Sequence, residues 1–87
     1  MQIQIHDTWI KGKDGLMHFD VAIEDKKGNN NKLAIESATK WLRSIGEDKA
    51  KITDKECEFC HTEEAAEKVE SNIKRDGFFI IKISGCP

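Results

Sequence analysis

Polar and apolar residues alternate from residue 2 to residue 10. Ile3, Ile5, Asp7 and Trp9 fall on one side, and Gln2, Gln4, His6 and Thr8 on the other. That is the period-two signature of a half-buried strand. Residues 11–15 read Lys-Gly-Lys-Asp-Gly, and Asp-Gly is a strong turn signal. Residues 16–24 alternate again, with Met17, Phe19, Val21 and Ile23 against Leu16, His18, Asp20, Ala22 and Glu24. The two segments predict a β-hairpin with one core face and one polar face. A connection of about three to five residues would place His6 near Asp20 and Thr8 near His18 on the polar side.

After a polar loop over 26–31 the period changes. Leu33, Ala34, Ser37, Ala38, Trp41, Leu42 and Ile45 make the stripe of an amphipathic helix over 32–45. Asn30 or Asn31 suits its N-cap and Gly46 its stop. Residues 49–53 predict a short strand around Ala50 and Ile52. Thr53-Asp54-Lys55-Glu56 has the form of a capping box, which puts Cys57 in a helical turn. A second helix is expected from about residue 63 to 75, with Ala65, Ala66, Val69 and Ile73 as its stripe and Gly77 as its stop. Residues 78–84 predict the last strand, with Phe79, Ile81 and Ile83 on one face. The order is β-β-α-β-α-β. Strands and helices of these sizes predict an α+β two-layer sandwich with the hairpin and the C-terminal strand in one sheet.

Length confines this to a single domain, 1–87: a chain of 87 residues has room for one modest core. Charged residues are 34% and hydrophobic ones 38%, with a net charge of −2, which fits a small soluble protein. No basic stripe exists to follow a phosphate backbone, so the chain is expected to bind no nucleic acid. No apolar run reaches the roughly 20 residues that span a bilayer. The N-terminus lacks the cationic and apolar regions of a secretory signal, so a cytoplasmic location is expected. In that compartment cysteines are reduced thiols or metal ligands.

Several stretches carry a family resemblance. They are Asp7-Thr8-Trp9, Met17-His18-Phe19-Asp20-Val21, Trp41-Leu42 with Gly46, Cys57-Glu58-Phe59-Cys60-His61, and Phe79-Ile80-Ile81-Lys82 leading to Gly85-Cys86-Pro87. Over nearly its whole length the chain resembles a small bacterial family, domain of unknown function twenty-twenty-four. The resemblance implies an α+β fold and transfers no catalytic role.

The chemistry is concentrated in Cys57, Cys60, His61 and Cys86. A C-x-x-C turn presents two thiolates to one ion, and structural zinc wants four N or S ligands. Cys57, Cys60 and Cys86 with His61 would supply them if the last strand ends beside the motif, although adjacent residues such as Cys60 and His61 ordinarily point apart. A redox pair is the second reading, against which stand the flanking Glu56 and Glu58 and the absence of a proline opposite the motif. C-x-x-C-H is also the haem-attachment pattern. The fourth reading is three buried thiols with no chemistry.

On the polar sheet face, His6, Thr8, His18 and Asp20 form a second candidate, for a ligand, a metal or acid–base work. Ile10, Leu16 and Ala22 on that face would favour a homodimer if it stays open. Trp9 and Trp41 fall on apolar stripes and are expected in the core. Asp7 interrupts its stripe, and a buried carboxylate needs a partner. The functional expectation is a small ligand- or partner-binding module, with a zinc-stabilised domain or a thiol-redox protein as the alternatives.

Overall fold

A computed structural model describes residues 1–26 and 30–87. The middle of the polar 26–31 loop lies outside the described residues. The elements are β1 (Gln2–Gly12), β2 (Gly15–Glu24), α1 (Asn31–Ser44), β3 (Cys57–Glu64), α2 (Glu67–Asp76) and β4 (Phe79–Ser84). The α+β class, the element order and the membership of the sheet are those the patterning predicts. All neighbouring strands are antiparallel, in the order β3-β1-β2-β4.

The hairpin register decides how the sheet is used. Gly12 pairs with Gly15, so the connection is Lys13-Asp14 alone. Even-numbered residues of β1 therefore oppose odd-numbered residues of β2. His6 faces Val21, Thr8 faces Phe19, Asp7 faces Asp20 and Trp9 faces His18. The apolar stripes of the two strands consequently lie on opposite faces, because a one-residue change in register turns every side chain over.

Each stripe has its own helix. Met17, Phe19, Val21 and Ile23 pack with Ala34, Ala38 and Leu42 of α1, joined by Ile10 and Cys57. Ile3, Ile5 and Ala22 pack with Ile73 of α2, flanked by Val69, Phe79 and Ile81. The layering is thus fuller than a two-layer sandwich, with α1 on one face and α2 on part of the other. Burial of a Leu or Phe side chain is worth about 1.5–3 kcal/mol. The α1 side holds the larger set and is the main core.

Both helix stops are as expected. Gly46 and Gly77 adopt φ of 86° and 88°, a region that costs glycine little. Two elements are placed differently from the sequence expectation. Residues 49–53 form no strand; Ala50 and Ile52 pack against the core as loop residues. The third strand is Cys57–Glu64. The Thr53–Glu56 bonds do form: Glu56 Oε1 accepts from Thr53 N and Thr53 Oγ1, each at 2.7 Å. They close a turn that delivers the chain into β3, with no helix following. Glu63 and Glu64 end that strand, so α2 begins at Glu67.

Candidate functional site

α2 covers only the end of its sheet face that carries Ile3, Ile5 and Ala22. Beyond it the same face presents Asp7 and Trp9 of β1 beside Asp20 and His18 of β2. His18 Nε2 donates to Asp7 Oδ1 at 2.6 Å. Trp9 Nε1 donates to the other oxygen, Asp7 Oδ2, at 3.1 Å. The indole also stacks on the imidazole, with centroids 3.7 Å apart and planes 11° from parallel. Trp9 is 44% exposed. Its place in a stripe predicted core packing, but α2 is too short to reach it, and its contact is His18.

Asp20 completes the group. One ligand atom each from Asp7, His18 and Asp20 lies within 4.8 Å of the others. The Asp20 carboxyl is held above the usual carboxylate range, first by burial and then by the neighbouring charge of Asp7. His18 and His61 of β3 act in the opposite direction. Two carboxylates and an imidazole in a half-buried setting are a donor set for a divalent cation, which would relieve the repulsion between the acids.

The polar patch expected from the sequence is divided by the register. His18 and Asp20 belong to this open face, whereas His6 and Thr8 point the other way and are fully buried. His6 Nδ1 lies 2.8 Å from Asn31 Oδ1 and its Nε2 lies 3.0 Å from Gln4 Oε1. Burial pushes the His6 pKa down, opposed by the Asn31 bond. Phe59 meets the same ring edge-on at 5.5 Å. Thr8 Oγ1 donates to Cys57 Sγ at 3.4 Å. The expected homodimer surface divides in the same way. Ile10 is buried on the α1 side, Ala22 is buried at the α2 end, and Leu16 alone is exposed.

The cysteine set is also dispersed. β3 and β4 are the two edges of the sheet, so two strands stand between Cys57 and the chain end, at about 4.8 Å per strand spacing. Cys57 is buried on the α1 face, and burial pushes its thiol pKa up. Cys60 is exposed on the edge strand. Cys86 follows β4, with its thiol 3.5 Å from the His18 carbonyl. Among the described residues these cysteines and His61 belong to no group of three converging ligands.

One feature of β3 brings neighbours together. Ile5 pairs with His61 and His6 with Phe59, leaving Cys60 as the extra residue of a bulge. In a regular strand Cys60 and His61 would point to opposite faces. The bulge re-aims them, and His61 Nδ1 lies 3.2 Å from Cys60 Sγ.

Asp7 was legible as an anomaly in the sequence, since it broke an apolar stripe. Its partnership with His18 was not, because that depends on the hairpin register. The chain matches the model of a family described as a domain of unknown function, DUF2024, over residues 1–83. It is similar to the protein NE1680 from Nitrosomonas europaea, a structural genomics target solved by NMR. The two are 48% identical over 100% of each chain, with a TM-score of 0.85. No curated protein matches the chain. No helix among the described residues is long and apolar enough to cross a membrane.

Proposed function

The chain belongs to the DUF2024 family, and we propose that it is a binding module whose ligand is a divalent metal ion at Asp7, His18 and Asp20. The observation that carries this reading is the convergence of one donor atom from each residue within 4.8 Å. Donors on a single zinc ion sit about 2.1 Å from it, hence about 3.4 Å apart in tetrahedral geometry. His18 Nε2 and Asp7 Oδ1, now hydrogen-bonded at 2.6 Å, would give up that proton to the solvent and move apart to share the ion. One imidazole and two carboxylates suit zinc or manganese better than the soft thiolate-preferring ions. Three protein ligands would leave one position of a four-coordinate ion for a water or a second ligand.

Isothermal titration of the metal-free protein with zinc and with manganese tests this. One equivalent of at least one ion should bind to the wild type. Asp20→Asn and His18→Ala should each weaken binding about tenfold or more, since even an outer-shell partner of a metal ligand is worth that much. A variant with Cys57, Cys60 and Cys86 all changed to Ser should bind as the wild type does. Loss of binding in that variant, with Asp20→Asn binding normally, would return the metal to the cysteines and overturn the reading.

A further inference from the structure

We propose that Cys60 is a nucleophilic thiol, served by His61 and Glu63, that exchanges with small disulfides. Three side chains of β3 stand in the order nucleophile, base, carboxylate. His61 Nδ1 is 3.2 Å from Cys60 Sγ. His61 Nε2 donates to Glu63 Oε1 at 2.6 Å. The carboxylate on Nε2 leaves Nδ1 as the acceptor of the neutral ring, directed at the thiol. His61 and Glu63 are two apart and share a face by strand periodicity. Cys60 joins them only because the bulge adds a residue there. Bulges of this kind re-aim side chains, and here the result is a base within reach of a thiol.

Access favours the same residue. Cys60 is exposed and stands on an edge strand, so a small disulfide can bring its S–S bond into line with the attacking sulfur. The Sγ proton passes to His61 Nδ1, and Glu63 stabilises the imidazolium. The thiolate attacks one sulfur of the incoming disulfide, whose S–S bond breaks. A Cys60 mixed disulfide forms, and the departing thiolate takes the proton from His61. One disulfide and one thiol enter, and one mixed disulfide and one thiol leave.

The C-x-x-C spacing would ordinarily supply a resolving thiol. Cys57 does not serve here, because it is buried on the α1 face, and Cys60, three positions on in the strand, falls on the other by strand alternation. The product is therefore a lasting mixed disulfide rather than an internal one. This site uses none of the residues assigned above to the metal.

The test is incubation of the full chain with glutathione disulfide at neutral pH, with peptide mapping by mass spectrometry over time. Cys60 should be modified at least about tenfold faster than Cys86. His61→Ala should slow Cys60 about tenfold or more, within the usual contribution of a positioned base. Glu63→Gln should slow it less. Added imidazole should restore part of the rate in His61→Ala, which a purely structural role of His61 would not allow. The Cys86 rate should be the same in all variants. Equal rates at Cys60 and Cys86, or a Cys60 rate indifferent to His61→Ala, would overturn the proposal.

Discussion

The imidazole of His18 lies flat against the indole of Trp9 while both donate to the same carboxylate, Asp7. Neither strand makes this arrangement alone. It needs Trp9 opposite His18 and Asp7 two pairs further along, on the same face. Because Asp7 ties both rings through its two oxygens, changing it loosens the pair. Asp7→Asn should move the tryptophan emission maximum, since the amide has one acceptor oxygen where the carboxylate has two, and one of the two stacked rings loses its partner. Trp41 provides an internal reference: it packs edge-to-face on Phe19 at 4.9 Å on the other side of the sheet. The check is emission from Trp41→Phe protein with and without Asp7→Asn, and identical spectra would contradict the contact.

The acid pair predicts a stabilising mutation. The Asp20 pKa is raised in the fold by burial and by Asp7, so its ionised form is disfavoured there. Between the ordinary carboxylate value and the raised one, the folded protein holds more protons than the unfolded chain. Stability then falls as pH rises through that window. Asp20→Asn removes the ionised group, so in metal-free protein it should raise the melting temperature at pH 7. The gain should vanish at pH well below 4, where Asp20 is neutral in both states. Melting curves of both proteins across that range are the measurement. A residue kept at a cost to stability is consistent with a binding role.

His6 predicts an acid sensitivity of opposite sign. Burial lowers its pKa below the ordinary 6.5, so the unfolded chain takes up a proton first as the pH falls. Stability should be flat with respect to this group above that value and decline below it, levelling once the folded ring is itself protonated. His6→Gln should flatten the slope between about pH 6.5 and 5. Urea midpoints at several pH values decide it, and an unchanged slope would contradict the assignment.

The core should be far less tolerant than the open face. Leu42 is 1% exposed, between the α1 turns and the sheet. Leu42→Ala should cost about 2–5 kcal/mol. Leu16→Ala, on the open face, should stay within about 0.5 kcal/mol. Urea denaturation of the two variants compares them directly.

Gly85 predicts a local change at the chain end. It adopts φ of 69°, and a Cβ there would overlap the Leu16 carbonyl oxygen. Gly85→Ala should lift the end away from β2 and expose Cys86, whose thiol rests near the His18 carbonyl. The rate of Cys86 with an aromatic disulfide reagent should rise several-fold, while Cys60 reacts as before. An unchanged Cys86 rate would mean that the end accommodates the side chain.

The chain by itself determined everything that depends on local period. The alternation of 2–10 and 16–24 produced β1 and β2. The stripe from Ala34 to Leu42 produced α1, and Gly46 and Gly77 ended the helices where left-handed backbone was needed. Cys57–Glu64 carries no such period, because its residues are nearly all polar or exposed. An edge strand with little apolar alternation carries almost no signal, and the apolar Ala50 and Ile52 drew the strand assignment instead. Tertiary structure alone decided which stripes share a face. A two-residue turn pairs odd with even positions, whereas a connection one residue longer would pair odd with odd. That single step separated His6 and Thr8 from His18 and Asp20, and brought Asp7 and Trp9 to the latter pair. The strand order likewise placed β3 and β4 at opposite edges and dispersed the cysteines. Side-chain period is a property of one segment, but the pairing of two segments is settled by the turn between them and by the helix that covers each face.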